Sequence, residues 1–482
     1  MIKVKKFTSL VLTLVLVFSA CSVAFANTDE CTCGRTPVIY VRGMGEPIYE
    51  NPEDGCEEEI FDTIGETAKN SVPELILGVL GLLTFNYDLF GKYAIEVADR
   101  MLEKLEFDEN GMPLYNTGIE PMEAPDRETH FNDMPLCDSD INGYTDSCYY
   151  FRYDWRVSPL DNARILNEYA LEVMQVTKHS KVSFVCHSQG NTIMASYLYL
   201  FGNEHIDKIA FLSPAYQGVA LISSIFTKDI DIGGNADAIE LFVSAMTGGA
   251  DSDIAKLMKF LNFINVLDGL VWWLDGALDS QYDRVFEEYI SDAFGNLPGV
   301  WAFVTPDDYD TAKLNVFGEN YTETDYTRKL DEYHYNVQQK LPELITNAME
   351  SGTEVMICSG YNIPVIPVNQ HTEEHSDMLI NTLHMSLGAT TAPIGKTFEN
   401  GYVQAVSDCG HNHVSPDMIV DASTCEFPEI TWFFKGMDHV TYPDDYIFLI
   451  NKFLGTPEQI TVHTFEEYPQ FLVPDGEELI PV

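Results

Sequence analysis

A serine stands between a strand pattern and a helix pattern in KVSFVCHSQGNTIMASYLYLFG, residues 181–202. The β-branched and aromatic residues before Ser188 predict a buried strand, and the apolar spacing after Gly190 predicts a helix. A serine hydroxyl at such a turn can act as a nucleophile if a histidine takes its proton and an acid orients that histidine. The alternative is an ordinary helix N-cap, a position that serine favours. The strand-turn-helix context favours the nucleophile.

The motif around this serine, C-H-S-Q-G at residues 186–190, differs from G-x-S-x-G by a cysteine in place of the first glycine. In G-x-S-x-G enzymes the serine sits on a strained turn, and the acid and the histidine follow it in that chain order. The negative charge that develops on the substrate needs two backbone N–H donors, an oxyanion hole. We expect these donors to be Gln189 and Met44, which lies in the turn RGMG after the strand TPVIYV.

The histidine of such a triad should follow the last strand, and His439 does so in TWFFKGMDH. The acid should lie between the strand EVMICSGY and His439. Asp417 is our first choice because it begins a D-x-x-V pattern, and Asp408 in the same segment is a rival. Either aspartate could instead cap a turn. We therefore predict a triad of Ser188, Asp417 and His439.

The elements that would position this triad alternate between strand and helix patterns. Strands are predicted at TPVIYV, YYFRYDWR, KVSFVC and DKIAFLSP, and the pattern returns at TEVMICSGY and EITWFFKGMDH. Helical spacing fills the gaps on both sides of KVSFVC, as it does in βαβ units. The alternation predicts an α/β fold with a mostly parallel central sheet flanked by helices.

Two long segments, at about 46–148 and 216–345, interrupt this alternation. We interpret them as helical insertions that form a cap on one hydrolase domain of residues 27–455. Residues 456–482 follow the last predicted helix and are expected to be a C-terminal tail.

The inserted segments SVPELILGVLGLLTF and KLMKFLNFINVLDGLVWWLDGAL contain more apolar residues than one buried helical face requires. Both insertions begin after predicted strands, at the sheet edge where ligands bind in open α/β sheets. We therefore predict that helices around Pro73–Phe85 and Phe260–Leu278 cover Ser188, and that Trp272 and Trp273 bind the substrate. The alternative is that the two insertions only pack against each other.

Six segments together resemble a known family: TPVIYVRGMG, YFRYDWRVSP, CHSQGN, LSPAYQGV, LPGVWAFVTP and the late DH. In this order they resemble landmarks of lecithin–cholesterol acyltransferase-like hydrolases and related bacterial lipases. The resemblance covers the core strands and scattered loops. It implies an α/β-hydrolase fold and the roles given above to Ser188, Asp417, His439, Met44 and Gln189.

The N-terminus predicts export. Residues 1–26 combine three early lysines, an apolar stretch and Ala-Phe-Ala, the layout of a secretory signal peptide. A lipid anchor on Cys21 is a second possibility. The formal net charge of −48 excludes nucleic acid as a partner. We expect a secreted protein whose partner is a lipid or other ester, with transient contact to a membrane or lipid surface.

Two other functions compete with the serine hydrolase. His371, Glu374 and His375 match H-x-x-E-H, which binds zinc in peptidases when it lies on a helix, but a proline-bearing extended segment precedes it here. His411 and His413 could also join a metal site, although their spacing does not require one. We expect no metal and no cofactor in this protein.

The other competing function is that of an inactive α/β-hydrolase-like protein that binds a lipid or a surface partner. The candidate Ser, Asp and His argue against it. The sequence therefore predicts a secreted serine hydrolase, either a lipase or carboxylic ester hydrolase or an acyltransferase, that acts on a hydrophobic acyl ester through a Ser-Asp-His triad.

Overall fold

The structure is a computed structural model that describes residues 36–54, 59–60, 71–122, 125, 148–232, 235–246, 253–369, 371–407 and 410–482. The strands are β1 (Val38–Val41), β2 (Tyr49–Glu50), β3 (Thr117–Gly118), β4 (Cys148–Phe151), β5 (Val182–His187), β6 (Ile206–Leu212), β7 (Glu354–Tyr361), β8 (Ile363–Pro364), β9 (His375–Ser376), β10 (Thr390–Thr391), β11 (Val420–Asp421), β12 (Thr431–Lys435), β13 (Phe471–Asp475) and β14 (Glu478–Pro481). The predicted signal peptide and Cys21 lie outside the described residues.

The helices follow the same chain order: α1 (Val72–Leu83), α2 (Tyr87–Leu102), α3 (Pro159–Thr177), α4 (Gly190–Phe201), α5 (Ala220–Thr227), α6 (Ala236–Met246), α7 (Asp253–Phe263), α8 (Val266–Val285), α9 (Ser291–Ala293), α10 (Pro298–Trp301), α11 (Tyr309–Phe317), α12 (Asp325–Asp331), α13 (Leu341–Glu350), α14 (Thr382–Met385) and α15 (Asp444–Gly455). Wider π-helical turns at Phe286–Ile290 and Glu332–Gln338 continue α8 and α12.

The central sheet contains eight strands in the order β14-β13-β12-β7-β6-β5-β1-β4. All neighbouring pairs are parallel except β13 and β14, which are antiparallel. The strands β1 and β5 are buried along their whole length, as their continuous apolar sequences predict for a parallel sheet covered on both faces. The predicted α/β-hydrolase fold, with a mostly parallel sheet flanked by helices, is confirmed.

Helix α3 shows how local sequence sets the connections between strands. Ser158 caps the helix by accepting a hydrogen bond from the Leu160 N–H (3.3 Å), and Pro159 occupies the first turn, where no N–H is needed. Lys178 ends the helix in a left-handed conformation (φ 60°). The buried face of α3 then packs against α4, which follows the candidate nucleophile.

The inserted helices form a layer of their own. Helix α1 packs on α2, α2 packs on α8, and the Gln281 side chain in α8 donates to Asp88 in α2 (3.2 Å). Helices α6, α7 and α8 share a separate apolar cluster that includes Leu267 and Val271. The cluster also contacts Val368, just after β8, and the Asp231 N–H donates to the Val368 carbonyl (3.0 Å). The cap helices are therefore joined to the segment that leaves the carboxyl end of β7.

Two predicted boundaries differ in the structure. The later part of the 216–345 insertion belongs to the main core, because Trp301, Tyr309 and Val337 are fully buried there. Residues 456–482 are not a tail after the domain: β13 and β14 extend the sheet beyond β12. In both cases, large apolar side chains gain more from burial in the existing core than from exposure.

Among the described helices, none is by itself long and apolar enough to cross a membrane. Lys256–Phe263 and Val266–Ala293 meet that length and composition only together, and they are bent by 85° relative to each other.

Candidate active site

The turn between β5 and α4 holds Ser188 in a strained conformation. Its φ is 52°, in the left-handed region, which costs a non-glycine residue on the order of 1–3 kcal/mol. Hydrogen bonds hold the turn in place: the Ser188 N–H donates to the Leu212 carbonyl (3.0 Å), and the Ser188 carbonyl accepts from Asn191 Nδ2 (2.8 Å). A side chain at Gly190 would put a Cβ 2.3 Å from the Val41 carbonyl oxygen, so the turn requires glycine there.

The Ser188 hydroxyl contacts a histidine instead of capping the helix. Its Oγ lies 2.9 Å from His439 Nε2, whereas Gln189 is the N-cap residue of α4 and its side chain makes no capping bond. The N-cap interpretation of Ser188 is therefore wrong. His439 lies in the loop after β12, beyond Gly436, which adopts a φ of 69°.

The acid that contacts this histidine is Asp377. Its Oδ2 lies 2.6 Å from His439 Nδ1, and its Oδ1 accepts the backbone N–H groups of Leu379 (3.1 Å) and Ile380 (2.8 Å). The Asp377 side chain is fully buried. Because a carboxylate only accepts, Nδ1 of His439 carries the proton and Nε2 is free to accept from Ser188.

The prediction of Asp417 as the triad acid is wrong in geometry. Asp417 Oδ1 accepts from Ser415 Oγ (2.6 Å), and its Oδ2 lies near Tyr361 OH (3.1 Å) and Lys435 Nζ (2.9 Å). These contacts tie the Asp417 loop to the ends of β7 and β12 and give Asp417 a structural role. The rival Asp408 lies outside the described residues.

Asp377 meets the criteria that were applied to Asp417. It follows β7, precedes His439, and begins the D-x-x-I pattern that ends at Ile380, the same spacing of aspartate and β-branched residue. The sequence gives no signal for the short β8–β9 hairpin, in which His375 and Ser376 pair with β8 in antiparallel orientation. The hairpin returns the chain to the carboxyl end of β7, and Asp377 is the first residue after the hairpin.

His187 is a buried residue of the site that the sequence reasoning missed. Its Nε2–H donates to the His439 carbonyl oxygen (2.9 Å), and the two rings lie 4.9 Å apart. Burial, followed by the nearby His439, lowers the pKa of His187 to about 3, so this imidazole is neutral. The Tyr442 hydroxyl donates to the same carbonyl (2.8 Å). Two donors thus fix the backbone of the histidine loop.

The predicted oxyanion loop lies directly against the nucleophile. A Cβ at Gly43 would come 2.7 Å from Ser188 Cβ and 3.3 Å from its Oγ, so glycine is required for this approach. The Tyr153 hydroxyl donates to the Arg42 carbonyl (2.8 Å) and holds the loop. In the part of the chain that the structure describes, the backbone N–H groups of Met44 and Gln189 make no hydrogen bond to protein. Both groups remain available to an incoming oxyanion.

The Gln189 side chain, in contrast, is tied into the core. Its Nε2 donates to the Trp155 carbonyl (2.8 Å) and the Gly299 carbonyl (3.2 Å), and the side chain is buried. These bonds anchor the start of α4. Cys186, at the position of the first motif glycine, is a buried free thiol whose pKa is raised well above its usual value by burial. It packs as a small apolar residue and carries no charge.

The H-x-x-E-H segment does not form a zinc-peptidase site. Residues 371–374 are turn and coil, and His375 belongs to β9, so the two histidines do not share a helical face. Glu374 accepts from His371 Nδ1 (2.6 Å) and Asn381 Nδ2 (2.7 Å), and His375 Nδ1 accepts the Asn362 N–H (3.1 Å). These hydrogen bonds stabilise the conformation of the loop that precedes Asp377.

The predicted substrate-binding tryptophans lie on α8. Trp272 is 72% exposed, and the Trp273 ring packs edge-on against Phe85 at a centroid distance of 6.4 Å. Their role in substrate binding stays a prediction.

Two solved structures resemble the chain to a limited extent. A chain of the Tle4–Tli4 complex is 11% identical, with 67% of this chain and 75% of that chain covered and a TM-score of 0.25. A serine hydrolase from the polyaromatic hydrocarbon-degrading bacterium Cycloclasticus zankles is 13% identical, with 40% of this chain and 72% of that chain covered and a TM-score of 0.15. No protein-family model and no curated protein matches the chain.

Proposed function

We propose that this protein is a serine hydrolase that cleaves carboxylic esters with a hydrophobic acyl group. The observation that carries the proposal is the continuous contact from Ser188 Oγ to His439 Nε2 (2.9 Å) and from His439 Nδ1 to Asp377 Oδ2 (2.6 Å). The arrangement matches a nucleophile, a general base and an orienting acid. The strained turn at Ser188 and the neighbouring N–H donors add the parts that acyl transfer needs.

The reaction follows from these contacts. Ser188 Oγ attacks the ester carbonyl while His439 Nε2 takes its proton, and Asp377 stabilises the imidazolium that forms. The backbone N–H groups of Met44 and Gln189 donate to the oxyanion. His439 then gives the proton to the leaving alcohol, which leaves an acyl group on Ser188. Water, or an acceptor alcohol, then attacks the acyl carbon while His439 takes its proton. His439 returns this proton to Ser188 Oγ as the bond between Oγ and the acyl carbon breaks, which releases the acid or the new ester.

Exposed apolar side chains on the cap support a hydrophobic substrate. Patches of this kind on a soluble protein mark surfaces that bind apolar ligands or lipid. They cover the outer parts of α1, α7 and α8 together with the turns beside them: Leu77, Leu80, Leu83, Phe85, Ile254, Leu257, Phe260, Phe263, Val266, Leu270, Trp272 and Leu274. We propose that this surface touches a lipid or ester phase transiently and delivers the acyl chain toward Ser188.

Export is part of the proposal and rests on the signal-like pattern of residues 1–26. Export directed by this segment would put the acidic chain outside the cytoplasm, where its negative charge keeps it soluble. The site of cleavage is testable by sequencing the N-terminus of protein recovered from the medium and from the membrane fraction. Protein with a lipid on Cys21 would instead be recovered from the membrane fraction.

A fluorophosphonate probe tests the mechanism directly, because it labels only an activated serine. We expect the folded protein to be labelled and Ser188→Ala to lose both labelling and hydrolysis of nitrophenyl esters, by several orders of magnitude. Ser196→Ala is the matched control: Ser196 lies on α4, is buried, and among the described residues donates only to the Thr192 carbonyl of its own helix (2.9 Å). Absence of labelling in folded wild-type protein would favour the inactive lipid-binding protein instead.

A further inference from the structure

Four side chains with metal-binding atoms converge at a place that the triad does not use. His411, His413, Glu429 and His463 each offer one ligand atom, and these atoms all lie within 4.8 Å of one another. They come from three separate parts of the chain: the loop before β11, the 3-10 turn Pro428–Ile430 ahead of β12, and the connection from α15 to β13. We propose that these four residues bind one Zn²⁺ ion as a structural site.

The three distances between the histidine nitrogens and Glu429 are close to the ligand separations of a tetrahedral zinc site. With bonds of about 2.0–2.1 Å to nitrogen or oxygen, neighbouring ligand atoms around zinc lie roughly 3.3 Å apart. Glu429 Oε1 lies 3.1 Å from His411 Nδ1 and 3.3 Å from His413 Nε2, and Glu429 Oε2 lies 3.4 Å from His463 Nε2. Three imidazoles and a single carboxylate suit Zn²⁺ and its transition-metal neighbours, whereas Mg²⁺ and Ca²⁺ prefer oxygen ligands throughout.

A second hydrogen bond orients the most buried ligand. Gln470 Nε2 donates to the carbonyls of Pro428 (2.7 Å) and Thr431 (3.1 Å), so the Gln470 Oε1 atom faces His413 Nδ1 at 2.7 Å. His413 must therefore carry a proton on Nδ1, so Nε2, which faces Glu429, is the ring atom that can bind a metal ion. Nε2 lies 3.3 Å from Glu429 Oε1, close enough for one cation, a proton or a metal ion, to lie between the two atoms. This is the arrangement of a metal-ligating histidine and its supporting acceptor.

The site is separate from the triad. Glu429 precedes β12 and His439 follows it, so the two sites lie at opposite ends of a strand that is about 16 Å long at roughly 3.3 Å per residue. Four protein ligands also leave no open position for substrate, as in structural zinc sites. A bound ion would join the loop of residues 410–430 to the C-terminal segment that carries β13 and β14.

Zinc content and affinity test the site on the full-length protein. Metal-stripped protein is titrated with Zn²⁺ in competition with a chromophoric chelator, and bound zinc per chain is measured by elemental analysis after desalting. We expect one Zn²⁺ per chain and, with Co²⁺ in its place, the visible absorption of a tetrahedral ion. His411 is half-exposed, so His411→Ala should fold normally and weaken binding at least about 100-fold. Gln470→Ala should weaken it about 10-fold or more.

The control is His371→Ala. His371 also pairs with a glutamate (2.6 Å), but among the described residues no further metal-binding side chain joins that pair. We expect this variant to keep its zinc. At free zinc 100-fold above the dissociation constant, the ratio of folded to unfolded protein should rise about 100-fold in wild type and not in a His411→Ala/His463→Ala double variant. The proposal is overturned if wild-type protein takes up no stoichiometric zinc, or if His411→Ala and the double variant bind zinc as tightly as wild type.

Discussion

Replacement of Asp377 by asparagine tests the identity of the triad acid most sharply. Two backbone N–H groups, those of Leu379 (3.1 Å) and Ile380 (2.8 Å), point at one oxygen of this side chain. In Asp377→Asn the carbonyl oxygen must stay at that position, because an amide NH₂ there would face two donors. The NH₂ group therefore faces His439 Nδ1, 2.6 Å from the present carboxylate oxygen.

The amide forces the wrong tautomer on the histidine. If Nδ1 accepts from the amide, the proton of His439 must sit on Nε2, where it points at Ser188 Oγ and cannot serve as the base. A loss of this kind lowers kcat about 10⁴-fold in serine hydrolases. At about 1.36 kcal/mol per tenfold change in rate, this is roughly 5.5 kcal/mol of transition-state stabilisation. Substrate binding does not use Asp377, so KM should change little.

The assay is steady-state hydrolysis of a nitrophenyl ester at saturating substrate, with circular dichroism to show that each variant is folded. Asp417→Asn is the matched control, and we expect it to keep activity within a few-fold of wild type because, among the described residues, Asp417 bonds only Ser415, Tyr361 and Lys435. A crippled Asp417→Asn enzyme beside a nearly normal Asp377→Asn enzyme would refute the assignment of the acid.

Three further perturbations test other parts of the structure. Gly43→Ala should lower kcat about 10²–10³-fold with the fold intact, because its Cβ would lie 2.7 Å from Ser188 Cβ and displace the Met44 N–H; an unchanged rate would contradict the oxyanion role. Burial lowers the pKa of His334 to about 3, below its unfolded value, so the free energy of unfolding should fall as the pH falls from about 6.5 toward 3. In His334→Phe, the loss of unfolding free energy over this pH range, measured by urea unfolding, should be smaller by up to roughly 4 kcal/mol. The same pH dependence in the variant and in wild type would contradict this prediction. Trp272→Ala with Trp273→Ala should change the ratio of rates on palmitoyl and butyryl esters, whereas equal losses on both would assign these residues to structure.

Local sequence was sufficient to predict the serine and the histidine that contact each other in the structure. The strand, the turn and the helix around Ser188 are contiguous, so their propensities act within one short segment. His439 could be chosen because it follows the last predicted strand, and chain order in this type of triad puts histidine last. The alternation of strands and helices likewise predicted the parallel sheet, since βαβ connections leave few other topologies.

Only the tertiary structure shows which aspartate contacts the histidine. Several aspartates follow β7, and each fits the required order, so spacing could not separate Asp377 from Asp417. The choice depends on a β8–β9 pairing of only two residues per strand, which is too short to leave a propensity signal, and on which carboxylate lies against His439. The edge strands β13 and β14 were hidden for a similar reason, because their pairing depends on a neighbour, β12, that is distant in sequence.

The sequence offered His411 and His413 as possible metal ligands, but it did not indicate that Glu429 and His463 lie beside them. These four residues come from three segments spread over more than fifty residues, and no fixed spacing relates them. Only the packing of the loop before β11 against the C-terminal connection brings them within 4.8 Å. Chemistry carried by neighbours in the chain can be recognised from residue order, whereas chemistry assembled across elements depends on the packing of the sheet and its loops.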